Sequence, residues 1–322
     1  MNILITSVGK RVSLVKIFKD ELKKVYPKGK VYTVDLNPQL SSAAYISDGA
    51  FKVPHVKEPE YLDCLIDICI NNKITLIIPT IDPELLVLAE NEKKLLEYGI
   101  KPVISSVDFI KKCRDKRKIH SFFEEVGINI AKEFTKDNYK LPLFIKPIDG
   151  SRSVDTFLIL EQKDLTDYHF QNEKLMFLEY LDRDFYNEYT CDLYYSKNNE
   201  LKCVVPRKRI EVRDGEVNKG KTEKNALLNY IKDKMHYIEG ARGCLTVQFF
   251  KHKHNNDIVG IEVNPRFGGG YPLTYLAGAN YPKWIIEEYL FGEEINEYYE
   301  SWEDNLLMLR YDDEILVHDY LG

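Results

Sequence analysis

The sequence predicts an α/β unit with a parallel sheet, followed by an α+β unit with antiparallel sheets and helices on one side. Two observations support this fold class. In the first 112 residues, short apolar runs alternate with amphipathic helical segments, which is the pattern of a parallel sheet. Beyond residue 112, the pattern changes to strand-like segments joined by turn clusters, which indicates hairpins.

The strands predicted in the first unit are short runs of Val, Ile and Leu, at residues 3–5, 31–34, 76–78 and 103–104. One of the intervening helices has clear ends. Asp82 is placed to cap it, Pro83 suits its first turn, and Gly99 ends it before the next strand. This alternation of strand and helix predicts the α/β unit.

The second unit begins with a helix after Asp115 that ends at Gly127. The strand-like segments that follow are rich in apolar and β-branched residues, and they lie at 143–146, 154–160, 175–181, 188–196, 201–212, 244–250 and 258–263. Because several are joined by short polar turns, they predict antiparallel pairing.

The composition favours a folded globular protein. Of 322 residues, 44% are hydrophobic and 30% are charged, and the length suits roughly two domains. The 45 basic and 51 acidic residues give a formal charge of −6, which argues against nucleic acid or an anionic membrane as partner. Without an apolar run as long as a membrane span or a signal-peptide pattern, we expect a cytoplasmic protein. The aromatic residues could serve a homodimer interface or a large core.

A hairpin near the C-terminal end carries the strongest candidate site. Gln248 and Glu262 are symmetric about Asn255, so a turn there would place them face to face on neighbouring strands. Asn264 shares that face because side chains alternate along a strand. One carboxylate and two amides are hard oxygen ligands that suit Mg²⁺ or Mn²⁺, with phosphates completing the shell. Arg266 follows and suits a phosphate or carboxylate.

A second candidate site lies at the end of a strand, where Lys146 is followed by a turn containing Gly150 and Ser151. A lysine there can meet a phosphate as a point charge, while the turn surrounds the phosphate oxygens. The alternative is a solvated lysine beside an ordinary hairpin turn. Further along, Arg207 and Arg209 share one strand face and could meet a phosphate or carboxylate.

These motifs, in this order, resemble those of the ATP-grasp superfamily, closest to its carbamoyl phosphate synthetase and biotin carboxylase-like branch. The segments that carry the resemblance are Asp115-Lys116, Lys146-Pro147, Glu179-Tyr180-Leu181, Glu188 to Asp192, Gln248, and Glu262-Val263-Asn264-Pro265-Arg266. The resemblance implies a Rossmann-like domain over residues 1–112 and an ATP-grasp domain over 113–322. Two α+β lobes would grip ATP there, a smaller one at about 115–180 and a larger one at about 181–322.

The resemblance also implies roles for individual residues. Lys116 and Lys146 would contact the ATP phosphates, together with the turn at Gly150 and Ser151, and Arg266 would steady the transferred phosphoryl group. The remaining roles are the adenine pocket along the backbone of Glu179, Tyr180 and Leu181, the ribose contact of Glu188, and the magnesium ligands Gln248, Glu262 and Asn264.

The function implied is an ATP-dependent ligase that activates a small-molecule carboxylate as an acyl phosphate and joins it to an amine. The alternative is a non-catalytic nucleotide-binding or regulatory protein. A third interpretation comes from Gly215 to Thr222, which fits the phosphate-binding pattern G-x-x-x-x-G-K-[ST]. The charged segment before it does not suit the buried parallel strand that such a loop follows, so a P-loop enzyme is disfavoured.

Overall fold

The fold contains three β-sheets, described here from a computed structural model over residues 1–150, 154–213, 215–255 and 257–320. The first sheet has five parallel strands, the second has four antiparallel strands and the third has seven strands. The predicted combination of a parallel N-terminal sheet with later antiparallel sheets is confirmed.

The N-terminal sheet has the strand order β3, β2, β1, β4, β5. Its strands are β1 (Asn2–Thr6), β2 (Val31–Asp35), β3 (Ala50–Lys52), β4 (Ile74–Ile78) and β5 (Lys101–Pro102). The runs of Ile and Leu in β1 and β4 are buried because helices cover both faces of the sheet. Three of the four predicted strands are confirmed, and the fourth lies two residues earlier than expected.

The helices of this part are α1 (Val12–Val25), α2 (Ser42–Ile46), α3 (Tyr61–Asn71), α4 (Asp82–Glu90), α5 (Glu92–Glu97) and α6 (Val107–Arg114). The single helix predicted from Asp82 to Gly99 is two helices that meet at Asn91. The prediction that Asp82 caps it is also wrong: Ile81 occupies the cap position, and Asp82 is the first helical residue. Its carboxylate is used elsewhere, as described below.

The four-stranded sheet has the order β7, β10, β8, β9. Its strands are β7 (Glu133–Phe134), β8 (Leu143–Pro147), β9 (Phe157–Ile159) and β10 (Leu175–Glu179), with α7 (Lys116–Glu125) and α8 (Asp167–Gln171) beside them in the chain. As predicted, α7 begins after Asp115, whose carboxylate accepts the backbone N–H groups of Arg117 and Lys118. The predicted domain boundary near residue 112 stays a prediction; it falls inside α6.

The seven-stranded sheet has the order β16, β13, β12, β11, β14, β15, β6. These strands are β6 (Asn129–Ile130), β11 (Tyr186–Tyr195), β12 (Leu201–Arg213), β13 (Glu216–Thr222), β14 (Gly243–His252), β15 (Ile258–Asn264) and β16 (Leu307–Leu309). Its helices are α9 (Ala226–Met235), α10 (Tyr271–Leu276) and α11 (Tyr281–Ile286). In the part of the chain described, no helix is long and apolar enough to cross a bilayer.

The Gly215 to Thr222 pattern lies on β13, an antiparallel strand between β12 and β16. A phosphate-binding loop would instead join a parallel strand to a helix. Lys221, the lysine of the pattern, donates to Asn305 and lies 3.3 Å from a carboxylate oxygen of Glu223. The P-loop interpretation is therefore wrong.

The N-terminal sheet packs against the seven-stranded sheet through one continuous apolar core. The ring of Phe18 on α1 meets the ring of Phe267 after β15, with centroids 5.8 Å apart. The carboxyl ends of β1 and β4 consequently face the end of β15. In open parallel sheets this edge is where ligands bind.

A buried ion pair lies inside the larger sheet. Arg207 donates from Nε and Nη2 to the two oxygens of Asp192, at 2.8 and 2.9 Å, and both side chains are almost fully buried. The hydroxyl of Thr274 also donates to Asp192. The strand position of Arg207 allowed a contact with a ligand in an open pocket. Its guanidinium instead pairs with the buried carboxylate of Asp192.

We expect Asp192→Ala to lower the free energy of unfolding by about 3–5 kcal/mol, because Arg207 would keep a buried charge without its partner. Denaturant unfolding followed by circular dichroism measures the change. Asp63→Ala is the matched control, since Asp63 pairs with Lys94 at an exposed position and should leave stability unchanged. Equal effects of the two substitutions would contradict the buried pair.

Candidate active site

The hairpin of β14 and β15 brings together the three residues predicted as metal ligands. Gln248 lies opposite Glu262 in the register, as the symmetry about Asn255 predicts. Gln248 Nε2 donates to Glu262 Oε1 at 2.7 Å, and Asn264 Nδ2 donates to the same oxygen at 3.0 Å. The sequence therefore predicts the geometry of this cluster, and the metal-binding role stays a prediction.

The chemistry of this cluster fits a magnesium ion held jointly with phosphates. It offers one carboxylate and two amide groups, which are hard oxygen donors. Among the described residues, no group of three His, Cys, Asp or Glu side chains is arranged to hold a metal alone. Mg²⁺ commonly takes one or two carboxylates from the protein and its other ligands from water and substrate phosphates. The cluster has the composition of such a partial site.

Two buried lysines lie near Glu262. Lys146 is on β8, and Lys116 is the first residue of α7. Both are less than a tenth exposed. Lys116 Nζ donates to the carbonyl oxygen of Gly150 at 3.1 Å, which ties α7 to the turn after β8. Two lysines and a carboxylate from three separate elements therefore converge between the two antiparallel sheets.

This arrangement shifts the pKa of both lysines. The pKa of Lys146 is lowered to about 8, mainly by burial. The like charge of Lys116 also lowers this pKa, and the carboxylate of Glu262 opposes the shift. Burial also lowers the pKa of Lys116, again against the effect of Glu262. Burial and the two neighbouring lysines lower the pKa of His120 to about 4. The imidazole is consequently neutral near pH 7 and adds no third positive charge.

The turn after β8 is described only in part. Gly150 has a φ of +126°, a backbone conformation that glycine adopts without the steric penalty of a side chain. Its carbonyl oxygen accepts from Lys116. Ser151, predicted as a phosphate contact, lies outside the described residues, so its role stays a prediction.

Arg266 is held by a partner from the N-terminal sheet. Its Nε and Nη2 donate to the two oxygens of Asp82 at 3.0 and 2.8 Å. Nη2 also donates to Asn264 Oδ1 at 3.2 Å, which links the arginine to the Glu262 cluster. Bidentate contacts of this kind fix the plane of a guanidinium. Asp82 therefore orients Arg266 toward the site from the neighbouring sheet.

The segment predicted to line an adenine pocket borders a cavity of about 450 Å³ between the two antiparallel sheets. Glu179 and Leu181 contribute to its wall, and Tyr180 between them is half-buried. The opposite wall includes Val259 of β15 and Tyr186 of β11. The cavity has the size of a small-molecule site, and adenine binding stays a prediction.

Glu188, predicted to take the ribose hydroxyls, is engaged by two arginines. One of its oxygens lies 3.3 Å from Arg209 Nη1 and the other 3.4 Å from Arg183 Nη2. Arg209 thus lies beside a predicted nucleotide-binding residue. The ribose role of Glu188 itself stays a prediction.

The sequence did not reveal two residues at the junction of the sheets. Asp82 was interpreted as a helix cap, and Arg11 was not singled out. Arg11 Nη2 donates to the carbonyl oxygen of Thr80 at 3.1 Å, and its Nη1 donates to that of Phe267 at 3.2 Å. The only available signal was position, because both residues follow strands of the parallel sheet at its carboxyl edge.

Comparison with family models gives two matches. Residues 3–103 match the model described as the N-terminal domain of PylC-like proteins. Residues 171–308 match the model described as ATP-grasp in the biosynthetic pathway with Ter operon. The chain thus has a PylC-like N-terminal part and a part that matches the ATP-grasp model. The resemblance drawn from the motifs is confirmed, and a comparison with curated proteins gave no match.

Solved structures show the same ATP-grasp fold. A pyruvate carboxylase from Rhizobium etli is 14% identical to this chain, with a TM-score of 0.71. The match covers 95% of this chain and 30% of the pyruvate carboxylase chain. The biotin carboxylase domain of a Hydrogenobacter thermophilus 2-oxoglutarate carboxylase, solved with MgADP and bicarbonate, has the same identity and TM-score, covering 95% and 73%. An L-amino acid ligase from Bacillus licheniformis is 16% identical with a TM-score of 0.63, covering 90% and 74%.

We expect Lys146 to titrate near pH 8 in the candidate site, well below an exposed lysine, because burial and Lys116 disfavour its charged form. NMR of the protein labelled with ¹³C at lysine Cε measures this pKa, and the spectrum of Lys146→Arg assigns the signal. In Glu262→Gln the titration should move to lower pH, since the opposing carboxylate is lost. A Lys146 signal that titrates above pH 10 would contradict the buried lysine pair.

Proposed function

We propose that this protein is an ATP-dependent ligase that activates a carboxylate as an acyl phosphate and joins it to an amine. The convergence of Lys116, Lys146 and Glu262 between the two antiparallel sheets is the observation that carries the proposal. Two buried ammonium groups with one carboxylate have an excess positive charge, which a polyphosphate neutralises. The match of residues 171–308 to the ATP-grasp model supports ATP as that polyphosphate.

In this proposal, ATP lies between the two sheets. Lys116 and Lys146 bind its phosphates, the backbone from Glu179 to Leu181 lines the adenine pocket, and Glu188 accepts the ribose hydroxyls. Structures with this fold include the biotin carboxylase domain solved with MgADP, which supports a nucleotide as ligand. Gln248, Glu262 and Asn264 would hold a magnesium ion, which supplies positive charge against the phosphates when bound.

The chemistry then has two steps. A carboxylate oxygen of the substrate attacks the γ-phosphorus of ATP, the bond to the β-γ bridging oxygen breaks, and ADP leaves. The amine nitrogen next attacks the acyl carbon, the bond from carbon to phosphate oxygen breaks, and phosphate and a proton are released. Lys146 and Arg266 stabilise the negative charge that moves between these oxygens.

The position of the site supports acyl-phosphate chemistry, because a reactive acyl phosphate must be kept from water. Lys116 and Lys146 lie buried between the smaller and larger sheets, and Asp82 holds Arg266 from the N-terminal sheet. The L-amino acid ligase among the similar structures supports an amine as acceptor.

The first test is ADP release from Mg-ATP with pooled carboxylic acids, with and without pooled amines. We expect stimulation that requires both pools, and at least a hundredfold loss in Glu262→Gln because the metal-facing carboxylate is removed. Glu161→Gln, at an exposed position, is the matched control. ATP binding without ADP release under any combination would support a non-catalytic nucleotide-binding protein and contradict the proposal.

ATP affinity should fall as the pH rises above about 8, since Lys146 binds phosphate only as the ammonium ion and burial lowers its pKa to about 8. Beyond that pH, the dissociation constant should rise about tenfold per pH unit. Titration calorimetry with a non-hydrolysable ATP analogue measures it from pH 7 to 10. Lys146→Arg keeps its charge in this range and should show a flatter profile; identical profiles would contradict a phosphate contact at Lys146.

A further inference from the structure

A cluster of charged residues lies where the carboxyl edge of the N-terminal sheet meets the larger sheet. We name it the junction cluster, and its members are Lys10, Arg11, Asp82, Glu216, Arg266 and Arg310. Arg266 Nη1 donates to the carbonyl oxygen of Phe267 at 3.4 Å, and Arg11 Nη1 donates to the same oxygen at 3.2 Å. Two guanidinium groups therefore share one neutral acceptor.

The carboxylates of the cluster are already occupied. Asp82 accepts both of its close hydrogen bonds from Arg266. Glu216 accepts from Arg310 Nη1 at 3.1 Å, and the same oxygen lies 3.5 Å from Lys10 Nζ. The four cations thus exceed the two carboxylates by two positive charges. Burial, with a smaller effect from the nearby Arg266, lowers the pKa of Arg11 to about 10.

The other ionic pair near this point does not change the balance. Arg213 donates to Asp312 in a bidentate contact, and both side chains are mostly exposed. Glycine lets the backbone approach the cluster closely, because a Cβ on Gly269 would come within 2.8 Å of the Glu216 carboxyl carbon. The backbone at Gly269 therefore lies against a cluster that is partly open to solvent and has a surplus of positive charge.

Its place in the fold connects it to the reaction. Arg266 belongs both to the junction cluster and, through Asn264, to the Glu262 cluster. Arg11 reaches the loop after β4 through the carbonyl of Thr80, at the edge where open parallel sheets bind ligands. A molecule whose reacting carboxylate lies near Arg266 would thus extend its other end toward Arg11, Lys10 and Arg310.

We propose that the substrate acid carries a second anionic group, a carboxylate or a phosphate, which binds at the junction cluster through Arg11, Lys10 and Arg310. This inference rests on the proposed ligase function and narrows its substrate class. The reacting carboxylate is placed beside Arg266, and together the two anionic groups offset the two surplus charges. An acid with one anionic group leaves part of that surplus uncompensated, so it binds more weakly.

Calorimetry with matched acids tests the substrate class, in the presence and absence of a non-hydrolysable ATP analogue with Mg²⁺. The probes are succinate against succinamate, and 3-phosphoglycerate against glycerate. We expect the doubly anionic member of at least one pair to bind at least tenfold more tightly. The pair that shows the preference distinguishes a carboxylate from a phosphate as the second group.

Three variants connect the preference to the cluster. Arg310→Gln removes a cation of the cluster and should remove most of the preference for the acid with two anionic groups. Glu216→Gln removes a carboxylate and should increase that preference. Lys94→Gln is the control, since it removes one positive charge from an exposed ion pair elsewhere. Three outcomes would overturn the proposal. They are equal affinities within both pairs of acids, no binding of any probe, and equal effects of Arg310→Gln and Lys94→Gln.

The measurements with the ATP analogue distinguish a failure of this proposal from a failure of the ligase proposal. If the ATP analogue does not bind but the preference for doubly anionic acids persists, the ligase proposal fails and the anion site stands. If the analogue binds and no preference is seen, the anion site fails and the ligase proposal stands.

Discussion

The position of the Glu262 carboxylate is the constraint on which the candidate site depends. It accepts hydrogen bonds from two amides of its own hairpin and opposes two lysines that come from other elements. Without this charge, Lys116 and Lys146 would be like charges buried near each other, each with its ammonium form disfavoured. The carboxylate keeps enough positive charge in place for a phosphate, and both amide hydrogen bonds go to one of its two oxygens, Oε1.

The second structural condition is the contact between the parallel sheet and the larger antiparallel sheet. Asp82, the first residue of α4, and Arg11, which precedes α1, both contact residues that come shortly after β15. Because β15 also carries Glu262 and Asn264, the contact that holds the two sheets together also orients the site. The N-terminal unit therefore contributes Asp82 and Arg11 to the surroundings of the candidate site.

The sequence predicts the parts of the site that local geometry determines. The facing pair of Gln248 and Glu262 follows from the period of two along a hairpin, and the helix beginning at Lys116 follows from the Asp115 cap. The ion pair of Asp82 with Arg266 joins residues 184 positions apart, so no local pattern reveals it. Arg207 is a different case, because its partner Asp192 is only 15 residues away on the neighbouring strand, but the sequence pattern does not show that this strand face is buried.

The two arginines at the junction differ in what they have available for a ligand. Arg266 faces a carboxylate that neutralises it, so an incoming anion must compete with Asp82 for its guanidinium. Arg11 donates hydrogen bonds to two carbonyl oxygens, and the carboxylates of Asp82 and Glu216, which already pair with Arg266 and Arg310, also act on its charge. In the proposal, a substrate anion gains charge compensation at Arg11, which has no carboxylate of its own, and gains orientation at Arg266, where the geometry is fixed. In this proposal, Arg11 serves to recognise the substrate, and Arg266 serves to align its reacting group.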